Sequence, residues 1–141
     1  MTTIAFDGKT LAADGRMADA AIIDDSFVKI FRVKGTMVGI SGEASKALSL
    51  KDWLSASKGE MPDADGTELL VIQPDGSAYY IEGGGHPVPA CIPCAIGSGR
   101  DFALAAMDAG ADAEAAVRAA MKRDPYTGGQ IRTLKLIRRK A

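Results

Sequence analysis

Apolar and polar residues alternate with a period of two through much of this chain, and turn signals bound each alternating run. Residues 3–6 and 10–13 are short β-rich runs joined through Asp7-Gly8, a pair whose tolerance of left-handed backbone suits a hairpin. "SFVKIFRV" and "TMVGISG", which flank Lys34-Gly35, predict a second hairpin. In its first arm Phe27, Lys29 and Phe31 point one way, and Val28, Ile30 and Val33 mostly the other. Lys29 therefore falls among apolar neighbours, where a buried ammonium is costly unless paired. The alternative is a surface lysine whose stem packs on those neighbours while its head reaches water.

The period then lengthens. "EASKALSLKDWLSASKG" predicts a helix with Ala44, Leu48, Leu50, Trp53 and Leu54 on its apolar face and a stop at Gly59. After a polar loop, "TELLVIQ" and "SAYYIEG" return to strand patterning around Pro74-Asp75-Gly76. "CAIGSGRDFALAAMDAG" reads as a strand, a Gly-Ser-Gly turn and a helix closed by Gly110. "ADAEAAVRAAMKRD" is a second alanine-rich helix with Asp112 as N-cap and Lys122 and Arg123 at its C-terminal end. "GGQIRTLKLIRRK" is a final strand with a basic end. Hairpins first and two helices between late strands predict an α+β fold with antiparallel sheets.

The 141 residues suit one domain, 1–141. Apolar residues make up 47% and charged residues 25%, the balance of a folded globular chain rather than a disordered one. Seventeen Lys and Arg against 18 Asp and Glu leave no strong field to attract nucleic acid or an anionic membrane. No run has the length of a membrane span or the pattern of a secretory signal, so a cytoplasmic location is expected.

Candidate chemistry narrows quickly. Cys91 and Cys94, with His86 nearby, suggest a redox pair or three metal ligands. No second Cys/His pair completes a structural zinc site, and Pro87, Pro89 and Pro93 make the stretch extended where a redox motif should open a helix. With a single histidine, a Ser-His-Asp triad has little room, so a hydrolase built on this chain needs a base other than imidazole. Attention moves to "MTTIAFDGKTLAADGR". Thr2 and Thr3 are β-branched and suit the start of a strand. Removal of Met1, however, would leave Thr2 with a free α-amino group beside its own hydroxyl, a base and a nucleophile on one residue.

Five segments in order resemble the N-terminal-nucleophile hydrolases of the proteasome β-subunit and HslV type. "TTIAFDGKTLAADGR" resembles that family's Thr-Thr start and its hairpin ending in an acidic residue. "DDSFVKIFRV" resembles the segment carrying the active-site lysine, and "MVGISGEA" the glycine-containing strand before the first long helix. "AIGSGRDFALAAMDAG" resembles the Gly-Ser-Gly turn that opens a helix, and "KRDPYTGG" the last loop with its acid and hydroxyl. The resemblance implies an αββα sandwich, two antiparallel sheets face to face with helices outside.

It also implies roles. Thr2 is the expected nucleophile, with its own α-amine, reference pKa about 7.7–8.0, as the general base. Lys29 is the expected cation beside the hydroxyl, with Asp14 as its counter-ion. Gly39 is the expected backbone donor to the oxyanion. Ser98, Asp124 and Thr127 are expected around the Thr2 amine. Met17, Phe27, Phe31, Met37 and Ser41 are expected to line the specificity pocket, and four of those five are apolar, which points to cleavage after hydrophobic residues. No cofactor and no metal are implied. The implied substrate is a peptide or unfolded protein, the implied assembly a homo-oligomer or ring, and the implied partner an ATP-dependent unfoldase. The chain is shorter than such proteins, with one long helix before "TELLVIQ" where they usually have two. A catalytically silent scaffold and an amidase acting on a small molecule are the alternatives.

Overall fold

The computed structural model describes residues 2–137; the basic end of the last predicted strand, residues 138–140, lies outside them. In chain order the elements are β1 (Ile4–Phe6), β2 (Thr10–Ala13), β3 (Met17–Ala18), β4 (Ile22–Asp24), β5 (Ile30–Val33), β6 (Thr36–Ser41) and α1 (Ala44–Ala56). There follow β7 (Glu68–Ile72), β8 (Ala78–Glu82), β9 (Val88–Ala90), β10 (Cys94–Ile96), α2 (Arg100–Asp108), α3 (Ala113–Met121) and β11 (Arg132–Lys135).

Two antiparallel sheets carry the fold. One has the order β10-β1-β2-β11 and the other β5-β6-β7-β8-β9, while β3 and β4 form a separate two-stranded ribbon. Hairpin chemistry sets the registers. Val33 pairs with Thr36 across a two-residue turn in which Lys34 and Gly35 both take positive φ, 49° and 85°, as a twisted hairpin requires. At the β1–β2 turn Asp7 caps its own loop, accepting from Lys9 N and Thr10 N at 2.8 Å each through Oδ1. Its second oxygen accepts from Ala113 N at 2.8 Å, which ties this hairpin to the start of α3.

Alternation then sorts side chains into three apolar layers. Ile4, Phe6, Leu11, Ile30, Met37, Leu70, Ile72 and Ile96 fill the space between the sheets. On the opposite face of the first sheet, Ala5, Ala12 and Ala95 meet Ala103, Met107, Ala113, Ala116 and Val117 of α2 and α3. The alanines are what let helix and sheet approach closely. On the outer face of the second sheet, Val38, Ile40 and Leu69 pack with Leu50 of α1 and with Ala64. The arrangement is the αββα sandwich expected from the sequence.

Several elements differ from their sequence-based expectation. The run from Ser26 to Lys29 is not strand: pairing begins at Ile30, and Phe27 N instead donates to Gly15 O. The ribbon of β3 and β4 has no strong alternation and was not foreseen. Helix α1 stops at Ala56, with Ser57 rather than Gly59 taking the left-handed cap at φ 54°. Asp112 does cap α3, accepting from Ala115 N at 2.8 Å.

Candidate active site

Residues 2 and 3 run just ahead of β1, against the turn between β10 and α2. That turn is glycine-serine-glycine for a steric reason. A β-carbon on Gly97 would lie 2.0 Å from Thr2 O, and one on Gly99 would lie 1.9 Å from Thr3 Oγ1. Only glycines admit the threonine pair this closely. Thr2 is 3% exposed. Its Oγ1 accepts from Lys29 Nζ at 2.9 Å, and the same ammonium donates to Asp14 Oδ1 at 2.9 Å. Burial pushes the Lys29 ammonium below its usual range, and the charge and hydrogen bond of Asp14 oppose that shift. The sequence-level tension over a lysine among apolar neighbours is thus resolved by a buried ion pair.

Asp14 is held from four directions. Oδ1 also accepts from Thr3 N at 3.0 Å, and Oδ2 from Arg16 N at 3.2 Å and Gly128 N at 3.0 Å. On the other side of Thr2 its backbone nitrogen donates to Ser98 Oγ at 3.0 Å. Ser98 Oγ donates to Asp124 Oδ2 at 2.5 Å, and Thr127 Oγ1 donates to the same oxygen at 2.6 Å. Tyr126 N reaches Asp124 Oδ1 at 3.0 Å. Burial raises the Asp124 carboxyl, but the donors Ser98, Thr127 and Tyr126 outweigh it and the net direction is downward. Six of the seven expected catalytic positions therefore gather within one hydrogen-bonded cluster around Thr2.

Gly39 does not join them. It lies in the middle of β6, paired with Ile30 on one side and Leu70 on the other. A β-carbon there would meet Ile4 Cγ2 at 2.8 Å, so the glycine serves sheet-on-sheet packing. Ile40 N donates to Lys29 O, so by antiparallel alternation the Gly39 N–H faces β7 and belongs to the ladder. Gly42 continues the edge on which Ile40 donates. It has φ 130°, and a side chain there would collide with Gly66 O at 2.6 Å. The sequence signal for it was present in "GISGEA", where the second glycine precedes the helix.

Gly42 and Lys29 both line a cavity of about 330 Å³. Met17, Phe27 and Phe31, three of the five residues expected at a specificity pocket, also line it. Met37 and Ser41 do not: odd positions of β6 face the interior between the sheets, and both residues are buried there. Ile23, Val28, Ile40, Ala44 and Leu48 add to the apolar wall, with Lys51 held 5.5 Å over the Phe31 ring. Cys91 is exposed and Cys94 buried, both as free thiols, and burial pushes the Cys94 thiol up to about 12. Among the described residues no three His, Cys, Asp or Glu side chains cluster as metal ligands, and no helix is long and apolar enough to cross a membrane.

No protein-family model and no curated protein sequence matches the chain. Solved structures do. BPH from Thiobacillus denitrificans superposes with a TM-score of 0.75 at 23% identity, covering 96% of this chain and 97% of that one. The same protein in complex with epoxomicin gives 0.74 at 21%, covering 96% and 99%. HslV from Trypanosoma brucei gives 0.70 at 20%, covering 95% and 97%. At this identity the likeness is one of fold, and the fold is shared with HslV and BPH.

Proposed function

We propose that the chain is a one-domain threonine peptidase whose nucleophile is Thr2 once Met1 has been removed. The observation that carries this reading is the Thr2 Oγ1 to Lys29 Nζ contact of 2.9 Å, with Asp14 behind the lysine and Ser98 on the Thr2 nitrogen. A threonine hydroxyl flanked by an ammonium on one side and its own amine on the other has what acyl transfer needs.

In this mechanism the Thr2 hydroxyl attacks the peptide carbonyl and its proton passes to the α-amine, while the Lys29 cation favours the forming alkoxide. The Gly42 N–H, rather than that of Gly39, donates to the oxyanion; such a donor typically contributes about 3 kcal/mol to lowering the barrier. Collapse breaks the C–N bond, the leaving amine takes the proton from the α-ammonium, and an ester remains on Thr2 Oγ1. Water, activated by the same amine, hydrolyses the ester and regenerates the hydroxyl. The apolar cavity beside Lys29 receives the side chain preceding the scissile bond, which favours hydrophobic residues. Ile23, Val28 and Leu48 of its lining are 40–65% exposed, an apolar rim that an assembly of copies would cover; that the assembly is a ring rests on the sequence resemblance. Delivery of unfolded protein by an ATP-driven unfoldase belongs to the same proposal and rests on the sequence resemblance.

Intact mass before and after incubation with a peptide epoxyketone, or with epoxomicin, the molecule held by the T. denitrificans protein, tests it. Loss of Met1 followed by one adduct, absent in Thr2→Ala, is the expected result. A chain starting at Thr2 that takes no adduct and cleaves no peptide would favour the silent scaffold instead.

A further inference from the structure

Thr3 has no part in the mechanism above, yet it touches both halves of the site. Its side chain is fully enclosed, 0% exposed, with Oγ1 2.8 Å from Thr127 Oγ1. Distance alone permits either hydroxyl to donate. Thr127 has one hydroxyl hydrogen, however, and directs it at Asp124 Oδ2 at 2.6 Å. Thr127 is therefore the acceptor from Thr3. The backbone of Thr3 reaches the opposite carboxylate: Thr3 N donates to Asp14 Oδ1, the oxygen that also receives Lys29 Nζ. Thr3 O in turn accepts from Asp14 N at 3.2 Å.

We infer that Thr3 is a positioning residue, the link that sets Thr2 at the right height between the Asp14–Lys29 pair and the Ser98–Asp124–Thr127 relay. The inference rests on the proposed peptidase reading. Donation from Thr3 leaves Thr127 no freedom but to point its proton at Asp124, so every hydroxyl in the chain Thr3, Thr127, Ser98 is oriented toward that carboxylate. Ser98 is then committed to accept from the Thr2 nitrogen, which orients the base. Valine in place of Thr3 keeps the shape and removes the donor. Asp124 then loses a polarised partner, its charge acts more strongly through Ser98, and the protonated amine is favoured.

The experiment uses the full chain beginning at Thr2, with a fluorogenic peptide carrying a hydrophobic residue before the scissile bond. Thr3→Val should lower kcat about tenfold, the equivalent of one net hydrogen bond, with KM changed less than about twofold. The acid limb of its kcat/KM profile should move to higher pH. Thr3→Ser, which keeps the hydroxyl, should recover most of kcat. Because Thr3 acts through Thr127, the Thr3→Val/Thr127→Val double variant should be no slower than Thr127→Val alone. Wild-type kcat and pH profile in Thr3→Val would overturn the inference, as would multiplicative losses in the double variant. So would equal loss in Thr3→Ser and Thr3→Val together with a fallen melting temperature, which is the signature of a packing role only. No turnover by the unsubstituted chain with Thr2 exposed would overturn the peptidase reading itself, and this inference with it.

Discussion

Two carboxylates flank Thr2, and they are held by different kinds of donor. Asp14 is 1% exposed and receives three backbone N–H groups and one ammonium. Asp124 is 6% exposed and receives two hydroxyls at 2.5 and 2.6 Å and one backbone N–H. Backbone amides are fixed by the fold and cannot turn, so Asp14 is a rigid anchor whose charge holds Lys29 in place. Hydroxyls both donate and accept, so in the proposed mechanism Asp124 anchors a chain of hydroxyls whose far end, Ser98, meets the Thr2 nitrogen. In the proposed peptidase the difference separates what holds the site together from what tunes its base.

That contrast is broken most severely on the anchor side. Lys29→Met should abolish turnover and also destabilise the protein by about 3 kcal/mol, because it leaves Asp14 buried without its counter-ion. Chemical denaturation beside a peptidase assay checks both halves. A variant as stable as the parent would mean that the three amides alone suffice for Asp14. On the relay side Ser98→Ala should slow kcat by about 10- to 100-fold while leaving the denaturation midpoint nearly unmoved, since Ser98 lies at the surface. Equal stability losses in the two variants would erase the distinction.

The smallest effect is on pH. Asp7 and Asp124 both have folded-state values below their ordinary 3.8; burial raises each, and the hydrogen bonds from backbone and hydroxyl donors prevail. A lowered carboxyl favours the folded state fully above the unfolded value. That contribution is lost as the pH falls below 3.8 and through the folded value. Melting temperature should therefore be flat from neutrality to about pH 5 and decline below 4, and Thr127→Val should weaken the decline.

Much of this architecture can be read from the sequence. Asp7-Gly8 and Lys34-Gly35 mark their turns because few residue pairs tolerate the required backbone, and a lysine at an alternating apolar position asks for either a buried partner or a path to water, a choice that only the Asp14 contact decides. The Gly-Ser-Gly turn and the acid-hydroxyl loop were legible as a set, in order, rather than singly. Gly39 and Gly42 were not distinguishable in the same way. Each precedes helix α1 by a few residues, and only the bond from Ile40 N to Lys29 O shows which edge of β6 is open. Met37 and Ser41 were misplaced for the same reason: a one-residue change of parity moves a side chain from cavity to core. The cavity residues on α1 were missed because an irregular apolar pattern, with Leu50 buried and Leu48 half-exposed, does not declare which face meets the sheet.

What the sequence determined by itself is local: the turns, the α3 cap at Asp112, the alternating strands, and a threonine pair followed in order by an acid and a lysine. These follow from backbone sterics and periodicity, which act over a few residues. Tertiary structure alone decided that Thr2, Lys29, Ser98 and Asp124, up to 122 positions apart in the chain, would share one hydrogen-bonded cluster, that Gly42 and not Gly39 would face the cavity, and that Thr3 would bridge the two carboxylates. Strand pairing and sheet-on-sheet packing set those positions, and neither is written in any single segment.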